Sequence, residues 1–132
     1  MINKYDYDLS DLRVLFVYNT VSCHITMRDT LEKLNIDKYD SAVNGIEAIV
    51  NTYKNQYDMI IMENEIPLVR GSEVACIIKN NLEIQIPIYI CSTSDTIDIC
   101  CSSGEICHDH IITKPVSSDD IINMLKLETA IE

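Results

Sequence analysis

Tyr57-Asp58-Met59-Ile60-Ile61-Met62-Glu63-Asn64-Glu65-Ile66-Pro67 decides the fold. Asp58 stands before a short run of Ile and Met, and acids and Pro67 stand behind it. This is how a strand buried on both faces of a parallel sheet reads, with a turn at each end. Whatever projects from the carboxyl end of such a strand lies where open α/β sheets place their sites. The residue there is Glu63.

Two strand–helix patterns precede this stretch and two follow it. Arg13–Tyr18 is an apolar strand, and Thr20–Leu34 reads as a helix with Ile25, Leu31 and Leu34 inward and Arg28, Asp29, Glu32 and Lys33 in water. Asn35 suits its end. Lys38–Ala42 is a short, polar second strand for a sheet edge. Asn44-Gly45 makes a turn into a helix whose Ile46, Ile49, Val50 and Tyr53 recur at helical spacing. Asp58–Met62 is strand three, and Pro67–Gly71 is a loop. Ser72 is the expected N-cap of a helix bearing Val74, Ile77 and Ile78.

Pro87–Cys91 is strand four, rich in β-branched residues. Asp95–Ser103 is expected as a helix closed by Gly104, although its Thr, Ser and paired Cys are poor helix formers. His110–Thr113 is strand five. Ser117 caps a last helix carrying Ile121, Ile122, Leu125 and Leu127. Strands alternating with helices mean parallel pairing through right-handed crossovers. The expected fold is α/β: a flavodoxin-like, doubly wound five-stranded parallel sheet in the order 2-1-3-4-5, with five helices. Its boundaries are an acidic lead-in over 1–11, a domain over 12–128 and a tail over 129–132.

The 132 residues suffice for one domain with a proper core. A formal net charge of -11 argues against nucleic acid, which requires Lys and Arg against phosphate, and against anionic lipid. No apolar run approaches a membrane span, and the acidic start is no signal peptide, so a cytoplasmic location is expected. Six cysteines are then expected as reduced thiols rather than as a disulfide frame.

The strand ends converge. Strand one ends in Tyr18-Asn19, strand three in Glu63, strand four in Ser92-Thr93 and strand five in Lys114-Pro115. This set resembles the receiver domains of two-component response regulators and hybrid histidine kinases, over about Arg13 to Leu127. Tyr57–Met62 with its following acid, Ile66-Pro67 and Gly71-Ser72-Glu73 is similar to the family's phosphorylation-site stretch. Ala42–Ala48 is similar to its second strand-to-helix turn. Pro87–Ser92 and Thr113-Lys114-Pro115 are similar to its fourth and fifth strand ends.

The chain departs from that pattern where the family's chemistry resides. The resemblance implies two adjacent acids after strand one to hold Mg²⁺, and Tyr18 and Asn19 stand there. It implies a phosphoacceptor Asp, and Glu63 stands there. It implies an aromatic switch residue three positions before the lysine, and Ile111 stands there. Ser92 and Lys114 alone match. Mg²⁺ demands hard oxygen ligands in tight octahedral geometry, and phosphoryl transfer without it lacks its main charge stabiliser. Glu63 also carries its carboxylate one methylene too far out, and a displacement near 1 Å costs a positioned reaction about 10²-fold. Glu63 is expected either to stand in for a phospho-aspartate or to form an ordinary ion pair with Lys114.

The expectation is a non-phosphorylatable pseudo-receiver, an interaction module of a two-component-type phosphorelay, with no catalytic residue, metal or cofactor. Its partner is a histidine kinase, a phosphotransfer or output protein, or a second copy, met through the family's fourth helix, fifth strand and fifth helix. Those are here Asp95–Ser103, His110–Thr113 and Ser117–Leu127. One alternative is a working receiver that uses another acid, Glu65 or Asp58. Another is a redox sensor using Cys100, Cys101 or Cys107, which sit in a segment read as loose and exposed. Cys100-Cys101 and Cys107-His108 supply zinc-type ligands, but no C-x-x-C pair supports a zinc site. Cys76 and Cys91 read as small apolar residues. His24, His108 and His110 read as surface or loop residues. The hydroxyl-rich Tyr18–Cys23 segment lacks the glycine a flavin phosphate site needs.

Overall fold

The computed structural model describes residues 9–92, 99–113 and 116–129. Five parallel strands, β1 (Arg13–Val17), β2 (Lys38–Ala42), β3 (Met59–Glu63), β4 (Ile88–Ser92) and β5 (His110–Thr113), form one sheet in the order β2-β1-β3-β4-β5. The expected sheet is therefore the observed one. Polar β2 takes one edge, and the apolar β1, β3 and β4 fill the centre, where both faces are covered.

Alternation along the strands divides the core in two. Val14, Phe16, Met59, Ile61, Tyr89 and Cys91 face α1 (Val21–Lys33) and α4 (Ser118–Thr129), which contribute Met27, Leu31, Ile121, Ile122 and Met124. Leu15, Val17, Ile60, Met62, Ile88 and Ile90 face the other way. They meet α2 (Gly45–Lys54) and α3 (Gly71–Cys76), the latter running on as a π-helical turn over Ile77–Asn81. Leu9, just before β1, also enters the first core.

The helix ends follow local chemistry. Thr20 Oγ1 accepts from Cys23 N–H at the start of α1, and Asn35 closes its end at φ 63°. Asn44 Oδ1 accepts from Glu47 N–H at 2.8 Å, while the Glu47 carboxylate reaches back to Val43 N–H. Ser117 and Asp120 cap α4 reciprocally.

On α1, Leu31 and Leu34 are buried as expected and are joined by Met27 and Thr30, whereas Ile25 is exposed; the expected face of α2 is turned. On α2, Ile46, Val50 and Tyr53 are exposed, whereas Gly45, Ala48 and Thr52 are buried and Ile49 is partly so. Close approach selects this face. A Cβ on Gly45 would lie 2.1 Å from the Val69 carbonyl oxygen, so small residues must face inward there. Thr52 satisfies its buried hydroxyl on the Ala48 carbonyl.

The described residues contain four α-helices rather than the expected five. Residues 95–98 of the expected Asp95–Ser103 helix lie outside the described residues. The remainder is not helical: Gly104 N–H closes a turn on the Cys101 carbonyl, with Gly104 at φ 86°. Residues 1–8 of the lead-in and 130–132 of the tail also lie outside the described residues.

Candidate functional site

At the carboxyl end of the sheet, Glu63 is level with Cys91 of β4, and Ser92 with Thr113 of β5. Tyr18 continues β1, its N–H donating to the Ala42 carbonyl. It keeps the alternation of Val14 and Phe16, so its side chain enters the core shared with α1 rather than the loops around the mouth. The ring is 3% exposed, tilted against Phe16 and edge-on to His24, and its hydroxyl meets Cys91 Sγ at 3.4 Å. Burial, with the Cys91 thiol next, pushes the Tyr18 hydroxyl far above the ordinary tyrosine range. His24 is likewise no simple surface residue. Its ring packs on Phe16, and its Nε2 lies 2.6 Å from the Tyr18 carbonyl oxygen.

Asn19 presents its backbone to the mouth, where its N–H donates to Glu63 Oε1 at 3.3 Å. Glu63 is half-buried and Ser92 is buried. Ile111 is 41% exposed on β5, so the switch position lies at the surface. Thr93, Lys114 and Pro115 lie outside the described residues, as does the expected Glu63–Lys114 pair.

Asp58 stands at the opposite end of β3, about 16 Å of strand from Glu63. There its carboxylate accepts from Arg13 N–H at 2.8 Å. That position removes it from the mouth. Glu65 lies on the following loop and accepts from Asn64 Nδ2.

Asn64 is the organiser the sequence did not reveal. It is 5% exposed, and its Oδ1 accepts from Ser72 N–H while its own carbonyl accepts from Gly71 N–H. It thus caps α3 from eight residues upstream, and Ser72 is not the N-cap. Arg70 holds that position without a side-chain bond, and the Ser72 hydroxyl is buried with no partner among the described residues. Capping rules search the residues adjoining a helix, so a cap borrowed across a loop is invisible to them. Gly71 admits the close pass: a Cβ there would lie 2.8 Å from the Glu63 carbonyl oxygen. Gly45 N–H holds the Pro67 carbonyl from the other side.

Residues 14–126 match the family model described as "Response regulator receiver domain". The chain belongs to the receiver-domain family. Receiver domains are modules of two-component signalling. Among curated relatives, the autoinducer 2 sensor kinase/phosphatase LuxQ of Vibrio parahaemolyticus is 29% identical over 80 residues, covering 61% of this chain and 9% of that protein. LuxQ of Vibrio harveyi is 26% identical over 111 residues, covering 82% and 12% respectively. This receiver thus spans about a tenth of the length of these relatives.

Three solved receivers share the fold. A Francisella response regulator receiver aligns with TM-score 0.76 at 24% identity, over 89% of this chain and 95% of its own. The Saccharomyces cerevisiae Ssk1 receiver, co-crystallised with the histidine phosphotransfer protein Ypd1, aligns with TM-score 0.77 at 20% identity, over 94% and 92%. The receiver of the Pseudomonas aeruginosa sensor histidine kinase PA1611, solved with magnesium in its active-site cleft, aligns with TM-score 0.74 at 18% identity, over 89% and 96%.

Proposed function

We propose that this receiver domain is a pseudo-receiver, not phosphorylated at its strand-three position, that serves two-component signalling as a cytoplasmic, non-enzymatic interaction module. The observation that carries the reading is the arrangement of Tyr18, Asn19 and Glu63. The Tyr18 side chain is committed to the core, Asn19 offers its amide, and Glu63 accepts that amide. These residues do not fit Mg²⁺. The ion needs oxygen ligands in near-ideal octahedral geometry, and an N–H donor beside the carboxylate competes for the same lone pairs. No phosphoryl-transfer step is therefore assigned to the site.

The partner belongs to the class seen with the yeast relative, a histidine phosphotransfer protein, or is a kinase, an output protein or a second copy of this chain. The docking face is that of β5 and α4 with the segment before β5. Its exposed Ile111 supplies apolar contact without an aromatic switch.

A magnesium titration followed by NMR tests the reading. The amides of Tyr18, Asn19 and Glu63 should stay unmoved at millimolar Mg²⁺, and saturable shifts there would overturn it. Incubation with acetyl phosphate should add no mass. An added phosphate that disappears in Glu63→Gln would put a working receiver in its place.

A further inference from the structure

On the flank of the domain, away from the mouth, the chain draws together thiols that lie far apart in sequence. Cys76 closes α3, and Cys101 and Glu105 lie in the segment before β5. Their ligand atoms, two sulfurs and a carboxylate oxygen, lie within 4.8 Å of one another. Cys107 stands beside this group, its Sγ accepting from the same Asn80 Nδ2 that bonds Glu105. Cys76 and Cys101 are 7% and 6% exposed, so this is a shielded cluster with one open side at Glu105.

The surroundings hold these groups in place. Asn80 Nδ2 donates to Glu105 Oε1 at 3.1 Å and to Cys107 Sγ at 3.7 Å. Ser103 Oγ lies 3.0 Å from Cys101 Sγ, and Cys76 Sγ reaches the Glu105 carbonyl. Around them, Glu73 accepts from Ser102 N–H, and Lys79 pairs with Asp109 at 2.7 Å. Residues 73, 76, 79 and 80 thus all bind one segment, and a π-helical turn begins directly after Cys76.

We propose that Cys76, Cys101, Cys107 and Glu105 form a structural Zn²⁺ site that clips residues 101–107 onto α3. Tetrahedral zinc holds sulfur at about 2.3 Å and carboxylate oxygen at about 2.1 Å, which puts neighbouring ligand atoms roughly 3.5–3.8 Å apart. Cys76, Cys101 and Glu105 reach that spacing by closing about 1 Å, and Cys107, which stands outside that group, closes further to complete the tetrahedron. Thiolates are soft ligands and a carboxylate is a hard one. This mixture suits zinc, whereas Cu⁺ favours sulfur alone and Mg²⁺ oxygen alone. On binding, each of the three thiols releases its proton to solvent, and the carboxylate binds as it stands. Asn80 and Ser103 then act as supporting donors that orient the ligands.

The test uses the whole chain, reduced and stripped with a chelator, then titrated with Zn²⁺. Native mass spectrometry should find one zinc per chain. Alkylation of the unmutated protein should show Zn²⁺ protecting Cys76, Cys101 and Cys107 while Cys23 and Cys100 continue to react. Asn80→Ala should weaken zinc binding about 10-fold, in the range for loss of a supporting hydrogen bond. Cys101→Ser should weaken it further, and Cys100→Ser should leave it unchanged. Failure to bind zinc would overturn the proposal, as would unchanged alkylation of Cys101 or protection of Cys100 in its place. A Cys76–Cys101 disulfide formed under hydrogen peroxide in a chain that takes up no zinc would replace it with a dithiol switch. The alkylation pattern needs no variant, so a Cys→Ser protein that fails to fold leaves the result intact.

Discussion

At the carboxyl end of β3, Glu63 meets a backbone amide, and a tyrosine is withdrawn into the core. Beside α3, sulfur and carboxylate groups from two distant segments face one another under a canopy of side-chain donors. The first region keeps the strand arrangement of a receiver's mouth, and there the Glu63 carboxylate accepts a backbone N–H. The second has no place in the family's pattern, yet it gathers groups whose chemistry points to a ligand. Mouth geometry is fixed by strand register, whichever side chains stand at the individual positions. A side-chain cluster needs no such register, so it can assemble wherever a loop crosses a helix.

Removing the tyrosine should do the greatest damage to this contrast. Tyr18→Ala empties a core position among Phe16, His24 and Cys91 and should cost about 3–5 kcal/mol in urea unfolding. Parent-like stability would mean that the ring is free for use at the mouth. Asn64→Ala should follow at about 1–2 kcal/mol, because it leaves Ser72 N–H buried without its acceptor. Zinc binding should be unchanged in that variant, and a parallel loss would join the two regions into one unit.

On the thiol side, Lys79→Met should cost about 1 kcal/mol, since it removes one half of a partly buried pair. Asp109 keeps its bond from Ile88 N–H, which limits the damage.

The smallest effect is alkaline. Tyr18 has a folded-state pKa raised above its unfolded value of about 10. The neutral phenol therefore contributes stability that is fully present below pH about 10 and lost as pH rises beyond it. Tyr18→Phe should flatten the fall of stability above that pH. Tyr57, raised by burial and by its bond to Asp40, should leave a residual slope. An unchanged slope in Tyr18→Phe would place the hydroxyl in water.

Local pattern was enough to read the sheet. The Ile and Met run of 59–62 and polar Lys38–Ala42 each declare burial or edge by composition, and register follows from short parallel crossovers. The helices were harder. A stripe such as Ile46, Val50 and Tyr53 is defined by periodicity alone, and periodicity does not say which side approaches the neighbouring loop closely enough to demand Gly45 and Ala48. Positions at the mouth were legible because they sit at strand ends. Their orientation was not, since Tyr18 had to be followed through the alternation of β1 into the core. The thiol cluster was illegible for a different reason. Ligand motifs are recognised by short spacings, and Cys76 meets Cys101 only through a turn closed by Gly104 in a segment that reads as a poor helix.

The π-helical turn over Ile77–Asn81 bears on how the chain tolerates changes in length. Leu82 N–H reaches back five residues to the Ile77 carbonyl, one more than an α-turn spans. The turn therefore contains a surplus residue, and the extra width brings both Lys79 and Asn80 against the same segment. Deleting one residue between Ile77 and Asn81 would restore ordinary α-helix and leave Leu82 and β4 in phase with α3. The fold would survive with one of those two contacts missing. An insertion at the same place has no such slack and would push Leu82 and Ile84 out of the core they now touch.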